Sequence, residues 1–592
     1  MGTPAPLAGA GRVAGAAALI AVLTVVSRLA GFGRTGVFTW VMGDRNDLGG
    51  MYVVANSIPN IVFEIVAGGA LASLVVPLLA GAVAAGDRAA VSATTGVLLT
   101  WSVTLLVPLA IVVAVFAEPI VALISDGRSD AELEAGARML RVFAPQLPLY
   151  GIGIVLTGVL QSYRRFAWPV IAPLLSSVTV IGVYLVFAAV EGVHASIADV
   201  GRNGELILSA GTTLGVVVLS LSLLIPLRRL RLRPRPGYGF SADARARAGG
   251  LALAGAVTVI GQQVALAVSL NQVSGGPTGA PVVFNLAQTV YLLPWAVLAV
   301  PLAVAAYPTL AAAHAAGDED GYRATLAPTA RRVLLFSCLG AAVLVATAEP
   351  VAQFFWPGSG PALAAAIAGF GPGLLGYGLF AVLTRALYAR GAARPAAAAT
   401  LAGWLVVPPA AIGLAAVLPT DYRVFAVGAA NSVGMLVLGM LLAVVVLRSA
   451  GPSALTGFTR SGLVGLLAGT VAALVGAALA HWLPGFGGGT PARVDALLQG
   501  MLSGAAVGVV FLAVAYPLDR HDVRPLLAAV RRRLPGSMGR AGLVGQGDSA
   551  GEGDSAGQDG SAGQDGSTGR GLGGRRNTAG PGEDDGKERV SR

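Results

Sequence analysis

Two arginines interrupt an otherwise apolar run, in the string Ser27-Arg28-Leu29-Ala30-Gly31-Phe32-Gly33-Arg34. From Val13 to Met42 the remaining residues are apolar, small or hydroxylic. A charge at the centre of a membrane helix costs about 2.5–3.5 kcal/mol on insertion scales, so it usually faces a wet cavity or an anionic partner. Guanidinium stays charged at any physiological pH and pairs bidentately with phosphate oxygens. Apolar sequence flanks Arg28 for more than a turn on both sides, which favours a cavity-facing position. Arg34 is equally placed to face a cavity or to snorkel to a headgroup layer. Two further charges belong to the candidate set. Glu64, the acid within the second apolar run, either pairs with Arg28 or Arg34 or faces headgroups. Arg385 lies one turn from the end of the tenth run, where anchoring and substrate contact both fit. Asn56, Gln262, Gln263, Asn271, Asn285 and Gln288 add polarity inside the runs, where such side chains more often link helices than bind substrate.

These residues must be positioned by membrane helices. Of 592 residues, 55% are hydrophobic and 12% charged, against about 25% charged in soluble domains. The chain therefore reads as an all-α polytopic membrane protein. Its net charge of +10 is almost wholly arginine, with Lys587 as the sole lysine. The arginines fall in short loops between apolar stretches, which is a topology signal and gives no nucleic-acid-binding face. Cys338 is the single cysteine, and the four histidines have no ligand spacing, so no metal or cofactor is expected. The first run is too long and too continuous for a cleavable signal.

About 20 apolar residues cross a bilayer. That test gives fourteen spans, near residues 13–42, 48–80, 93–117, 137–161, 168–190, 205–227, 248–270, 280–312, 330–348, 362–388, 396–418, 423–447, 461–482 and 496–517. The first, second and eighth runs exceed a simple span, and Gly31, Gly33, Pro59, Gly68, Gly69, Pro294 and Pro301 mark where they would bend. Alternate loops carry Arg88; Arg164 and Arg165; Arg228, Arg229, Arg231, Arg233 and Arg235; Arg390 and Arg394; and Arg448 and Arg460. Positive-inside places these loops, and with them both termini, in the cytoplasm. Residues 521–540 form a basic juxtamembrane segment expected to lie on anionic headgroups. Residues 541–592 are Gly, Ser, Asp and Gln in near-repeats, expected to be a disordered cytoplasmic tail.

An internal repeat organises the spans. FAPQLPLYGIGIVLTGVL (143–160) and FGPGLLGYGLFAVLTRAL (370–387) share nine of eighteen positions at an offset of 227. Chance explains matched Leu and Val, but not Phe, Pro, Tyr and Thr in register. The copies fall in spans four and ten, six apart, and so share one orientation. This predicts two parallel six-helix lobes, at 1–235 and 236–450, plus two extra helices at 451–520. Parallel-repeat transporters hold substrate between lobes near the midplane and rock to alternate access.

The motifs SRLAGFGR (27–34), IPN (58–60), GALASLVVPLLA (69–80), QSYRRFAWPVIAP (161–173), YLLPWAVLAVPLAVAAYPTLA (291–311) and RALYARGAARP (385–395) resemble, in order and spacing, the MurJ (MviN) lipid II flippase family of the MOP exporter superfamily. The resemblance covers about residues 13–518 and includes the span count. It implies a bacterial inner-membrane protein with a central cavity whose arginines hold the pyrophosphate of an undecaprenyl-linked muropeptide. The lipid tail would lie in a groove made partly by the last two helices. Carried onto this chain, the implied substrate-binding set starts with Arg28 and Arg34 and extends to Glu64 and Arg385. Several charges of the family pattern are absent: Ile61-Val62-Phe63 replaces its arginine after PN, Ala67-Gly68-Gly69-Ala70 its AEGA, Gly50 an acid, Gln288-Thr289 an Asp-Arg pair and Leu292 a glutamate.

The leading expectation is a lipid II flippase using alternating access, with no bond made or broken and hence no enzyme. Its expected partners are lipid-linked muropeptide, membrane lipids and proteins of cell-wall synthesis. Two alternatives stay open. One is an exporter of another lipid-linked glycan or a drug in the same superfamily; a cationic drug would require acids. The other is a non-transporting cell-wall scaffold that docks enzymes through 541–592.

Overall fold

The computed structural model describes residues 8–125, 127–239, 242–357, 360–483 and 493–524, without the side chains of 8–21, Ala70, Ala72, Ser73 and 242–255. The basic segment beyond Arg524 and the repetitive tail lie outside the described residues. Helix α1 (Ala8–Met42) is continuous over 35 residues, about 50 Å. A four-residue turn leads to α2 (Asp47–Phe63), which Asn46 caps by accepting from Gly49 N. A π-helical segment, Glu64–Gly68, joins α2 to α3 (Gly69–Ala84). There follow α4 (Arg88–Val115), the short α5 (Ala117–Ile124), α6 (Asp130–Phe143), α7 (Gln146–Ser162), α8 (Ala167–Val190), α9 (Arg202–Ser222) and the one-turn α10 (Leu224–Arg228).

The second half repeats this order. It contains α11 (Ala242–Ser274), α12 (Ala280–Pro294), a second π-helical segment Trp295–Ala299, α13 (Val300–Ala315), α14 (Glu319–Ala346), α15 (Ala348–Phe355), α16 (Pro361–Phe370), α17 (Gly373–Ala389), α18 (Ala393–Val417) and α19 (Arg423–Ala450). Two closing helices are α20 (Phe458–Trp482) and α21 (Arg493–Leu518). No strand occurs among the described residues. Twelve helices are long and apolar enough to cross a membrane, or thirteen with α16 and α17 taken as one span bent by 41°.

Two of the three over-long runs depart from α-helix beside residues the sequence flagged, whereas the first, expected to bend at Gly31 and Gly33, stays one continuous α-helix. The over-long second and eighth runs each change from α- to π-helix, at Glu64–Gly68 and Trp295–Ala299. The 18-residue repeat also reappears as geometry: α6 breaks before α7 at Pro145, and α16 before α17 at Pro372. Residue by residue the likeness runs further, at an offset of 231. PLLAGAVAAGD (77–87) and PTLAAAHAAGD (308–318) share eight of eleven positions, and Ala-Glu-Pro opens both α5 and α15. Gly86 and Gly317 take left-handed φ of 69° and 72°, and the aspartate after each caps the next helix.

Packing divides the bundle into two ends. At the end holding Gly43, His194 and Gly279, one buried core combines both halves: Phe38, Met42, Tyr52 and Ile58 pack with Val282, Phe284, Leu286, Phe355 and Phe370. At the opposite, arginine-rich end the cores separate. Val75, Leu79, Leu98, Val155 and Leu160 form one, and Leu326, Leu334, Leu383, Leu438 and Phe511 another. The halves stay in touch there through α3 and α11. The molecule is thus closed at one end and divided at the other.

Small residues permit the closest helix approaches. Gly376 of α17 lies so near α19 that a Cβ would meet the carbonyl of Met435, with Leu436 N 2.7 Å away. Interfaces of this kind depend on residues without side chains. Gly376→Ala should therefore lower stability by about 1–3 kcal/mol, the usual cost of overpacking. A fall in the thermal midpoint of the detergent-solubilised protein checks this.

A polar clamp fixes the closing helices. Arg331 of α14 bonds Asp522 through two nitrogens and donates to Thr456 O at 2.7 Å. Ser461 of α20 donates to Asp519 at 2.7 Å. Burial pushes the Asp522 carboxyl up, but the hydrogen bond and charge of Arg331 outweigh it and hold the group below the usual carboxylate range. A carboxyl lowered in the fold stabilises fully above its unfolded value of about 4, and that stability is lost as pH falls through the lowered value. The wild-type thermal midpoint should therefore fall between about pH 4 and 2 by more than that of Asp522→Asn. At pH 7 the variant should already be less stable by about 3–5 kcal/mol, because one partner of a buried pair is gone.

Candidate functional site

Helix α1 forms one wall of a cavity of about 530 Å³ between the two halves. Thr24, Arg28, Gly31 and Thr35 recur at helical spacing along that wall, with Ser27, Phe32 and Arg34 beside them. Helix α8 adds Pro169, Val170, Pro173, Ser176 and Ser177, and α9 adds Leu219. The second half contributes Thr289, Leu292 and Leu293 from α12, then Ala296 from the π-helical segment. Arg28 and Arg34 are both exposed to this space. They are six positions apart on the helix, which puts them about 9 Å apart along the axis and about 120° apart around it. They address a bulky ligand from two directions.

The chemistry of the lining is one-sided. Its charged members are the two arginines, and its other polar members are hydroxyls; no carboxylate occurs among the described lining residues. Neither arginine makes an ion pair with a described carboxylate. Two guanidinium groups thus border a partly enclosed space whose described lining holds no counter-charge. Such a site takes an anion. Thr289→Glu should place a competing carboxylate in the same cavity and weaken binding of inorganic pyrophosphate at least tenfold, while Thr289→Gln stays near wild type; calorimetric titration of the purified protein decides between them.

Arg34 and Thr35 also border a deeper recess of about 60 Å³, lined by Tyr52, Asn56, Ser57, Tyr184, Thr212 and Asn285. The Tyr52 hydroxyl is bonded to Tyr184 at 2.8 Å and to Thr212 at 2.7 Å, and Phe38 packs 5.1 Å and 5.2 Å from the two tyrosine rings. Three helices are thereby held around Arg34. Sequence reading missed this trio, because each member lies in an ordinary apolar run of a different helix. The polar face Thr24-Arg28-Gly31-Thr35 was a readable signal.

The other expected site residues lie elsewhere. Glu64 opens the first π-helical segment, half-buried, and its carboxylate folds over Gly68, where a Cβ would lie 2.6 Å from its Cδ. It is not paired with Arg28 or Arg34 and does not line their cavity. Of the two readings the sequence left open, pairing is not what this structure holds: the Glu64 carboxylate lies along its own helix, where Gly68 leaves room. Arg385 is half-buried on α17 and donates to Ala381 O on its own helix at 2.6 Å. It too is outside the cavity lining. Asn56 and Asn285 join the recess, whereas Gln262 and Gln288 share a pocket of about 50 Å³ in the second half with Ser269, Trp404 and Asn431. Asn271 links helices by donating to Leu123 O at 3.1 Å.

The closed end is sealed by backbone-level contacts. Arg128 donates to the carbonyls of Gly276 and Pro277 at 3.2 and 3.3 Å, tying the two halves. Gly279, at φ 84°, sits against the Asp44 carbonyl with Arg45 Cα only 2.9 Å from where a Cβ would be. Beyond the seal is a separate depression of about 750 Å³, bordered by Asp44, Arg45, Trp356 and Asp421, with charges of both signs.

Residues 41–487 match the family model described as lipid II flippase MurJ. The chain belongs to this family. Among solved structures it is similar to a lipid II flippase MurJ in an inward closed conformation, with a TM-score of 0.64, 18% identity and coverage of 85% of this chain and 99% of that one. It is also similar to a multidrug resistance MATE family transporter of the MOP superfamily in an inward-facing conformation, with a TM-score of 0.57, 15% identity and coverage of 78% and 98%. A MATE in the bent conformation follows, with a TM-score of 0.50, 15% identity and coverage of 77% and 95%. These likenesses establish a shared fold. The family membership makes this a multi-pass membrane transport protein.

Proposed function

We propose that this chain is a lipid II flippase, moving the lipid-linked peptidoglycan precursor from the inner to the outer leaflet by alternating access. The observation that carries the proposal is the pair Arg28 and Arg34, unpaired and exposed in a cavity between the halves with no described carboxylate in its lining. A diphosphate is the anion that two guanidinium forks grip best. Headgroup binding is assigned to these two, since Glu64 and Arg385 stand off the cavity in this conformation. Arg385 is assigned to anchoring at the arginine-rich end, and Glu64 to shaping the bend of the second span.

Helix α1, added to thirteen spans, makes fourteen. We assign them to parallel lobes at 1–235 and 236–450 with two further helices at 451–520, a division supported by the offset repeats. The arginine-rich loops put the divided end in the cytoplasm, so the structure represents an inward-facing state and both termini are cytoplasmic. Rocking the lobes about the sealed end would then open the cavity outward. Carrying net charge across the membrane couples the cycle to its potential by about 2.3 kcal/mol per charge per 100 mV. A cation exporter is disfavoured by the same lining, which offers two positive charges and hydroxyls. Conditional depletion of a cell's own lipid II flippase, complemented by this chain, tests the reading. Restored outward exposure of lipid II is expected, and no restoration from a correctly inserted protein refutes it.

A further inference from the structure

After α10 the chain does not pass directly to α11. Residues 232–239 run extended along α4, and the two elements keep register. Arg233 N donates to Ser92 Oγ at 3.3 Å, the Arg235 backbone fills the space beside Gly96, and Gly237 N donates to Thr100 Oγ1 at 3.2 Å. The Tyr238 hydroxyl meets Thr104 Oγ1 at 3.0 Å. Ser92, Gly96, Thr100 and Thr104 are four apart, so they form one face of α4. Each step of that face rises about 6 Å, close to the roughly 6.6 Å spanned by two extended residues. The strap ends in an aromatic clasp. Trp101 Nε1 donates to Tyr238 O at 3.2 Å, and the rings meet edge-on at 5.5 Å.

This fixed backbone sorts the side chains. Leu230, Leu232 and Pro234 are half-buried, the leucines against Leu98, Val155 and Leu227, while Arg229, Arg231, Arg233 and Arg235 are exposed. With Arg228, five guanidinium groups lie at this end of α4, and none is in an ion pair with a described carboxylate. Trp101 and Tyr238 are both exposed, and Trp101 lies about 14 Å further along α4 than Ser92, toward the apolar middle of the helix. Arginines on the headgroup side and aromatics on the acyl side match the two layers of one lipid.

We propose that this strap is a binding site for anionic phospholipid, favouring a headgroup with two phosphates spaced to meet successive arginines. It lies on the face of α4, apart from the cavity of Arg28 and Arg34. Because the strap links the halves, lipid bound there fixes one half to the membrane surface while the other moves. Bulk positive charge would attract anionic lipid without needing the extended backbone; a built site requires both.

The test compares full-length protein in nanodiscs of neutral phospholipid doped with cardiolipin or with a singly charged phospholipid. Bound lipid is counted by native mass spectrometry, and inorganic pyrophosphate is the soluble competitor. Retention of cardiolipin over the singly charged lipid is expected. Replacing Arg231, Arg233 and Arg235 by Gln should weaken it about a hundredfold, at a factor of about five per arginine near an anionic surface. Gly96→Val keeps every arginine but denies the strap its seat, and should weaken retention at least tenfold. Retention unchanged in Gly96→Val, or equal for both lipids, means attraction by bulk charge and overturns the site. Displacement by millimolar pyrophosphate alone would identify a soluble phosphate ligand and overturn the lipid assignment. Replacing Arg165, Arg394 and Arg448 together by Gln, all outside the strap, removes the same three charges and controls for net charge.

Discussion

Arg28→Ala should weaken binding of a lipid-linked diphosphate about 10- to 100-fold, the loss of one charge-assisted bond worth about 1.5–3 kcal/mol. Arg34→Ala should do the same, and the double variant should abolish flipping in proteoliposomes. The size of the effect follows from what is missing around the pair. Where other cationic residues share a headgroup, loss of one is buffered; here the described lining holds no third cation. Arg→Lys at either position keeps the charge and loses the planar fork, so about tenfold of affinity should go while salt sensitivity persists. A cavity that used the arginines only as helix anchors would show equal binding in all these proteins.

Gly279→Val should prevent the closed end from sealing. Its backbone is left-handed at 84°, and any Cβ would run into the Asp44 carbonyl and Arg45 Cα. Both obstacles are main chain, so they cannot rotate aside. The halves must then part at this end, which exposes α12 from its first residue. Val282, wholly buried, is the reporter: Val282→Cys should be silent toward a membrane-impermeant maleimide and become labelled when Gly279→Val is added. Cys338 is buried and gives little background. Flipping should fall at least tenfold as the inward-facing population is depleted. An unlabelled Val282→Cys in the Gly279→Val background would mean that the seal is made elsewhere. Arg128→Ala, which removes only two bonds to carbonyls, should loosen the same end partially.

The membrane fold was legible because it rests on composition and length. Runs of apolar residues became helices; of the three over-long runs the second and eighth turn π-helical beside the flagged Gly68 and Pro294, while the first continues as α-helix through Gly31 and Gly33. The repeat was seen at 143–160 and 370–387, yet missed at 77–87 and 308–318, where an offset of 231 replaces 227. A four-residue change in spacing hides such a match when a single offset is searched. Arg28 and Arg34 were found because charge in an apolar run is rare. Glu64 satisfied that rule as well, but its direction depends on a π-helical turn that spacing rules for α-helices do not anticipate. Tyr52, Tyr184 and Thr212 come from α2, α8 and α9, so only three-dimensional packing brings their hydroxyls together.

The strap along α4 shows a similar limit. Arginines alternating with Leu230, Leu232 and Pro234 from Arg229 to Arg235 read as a basic loop that orients the chain. Its extended course against Ser92, Gly96, Thr100 and Thr104 needs a partner helix supplied from elsewhere in the sequence.

The central claim is that two arginines of α1 hold the diphosphate of the transported lipid. Its most direct test is the affinity of the purified protein for lipid II and for the same glycolipid with its diphosphate replaced by an uncharged linker. Wild type should prefer the diphosphate at least a hundredfold, and Arg28→Ala/Arg34→Ala should bind both ligands alike. A double variant that keeps the full preference would contradict the account.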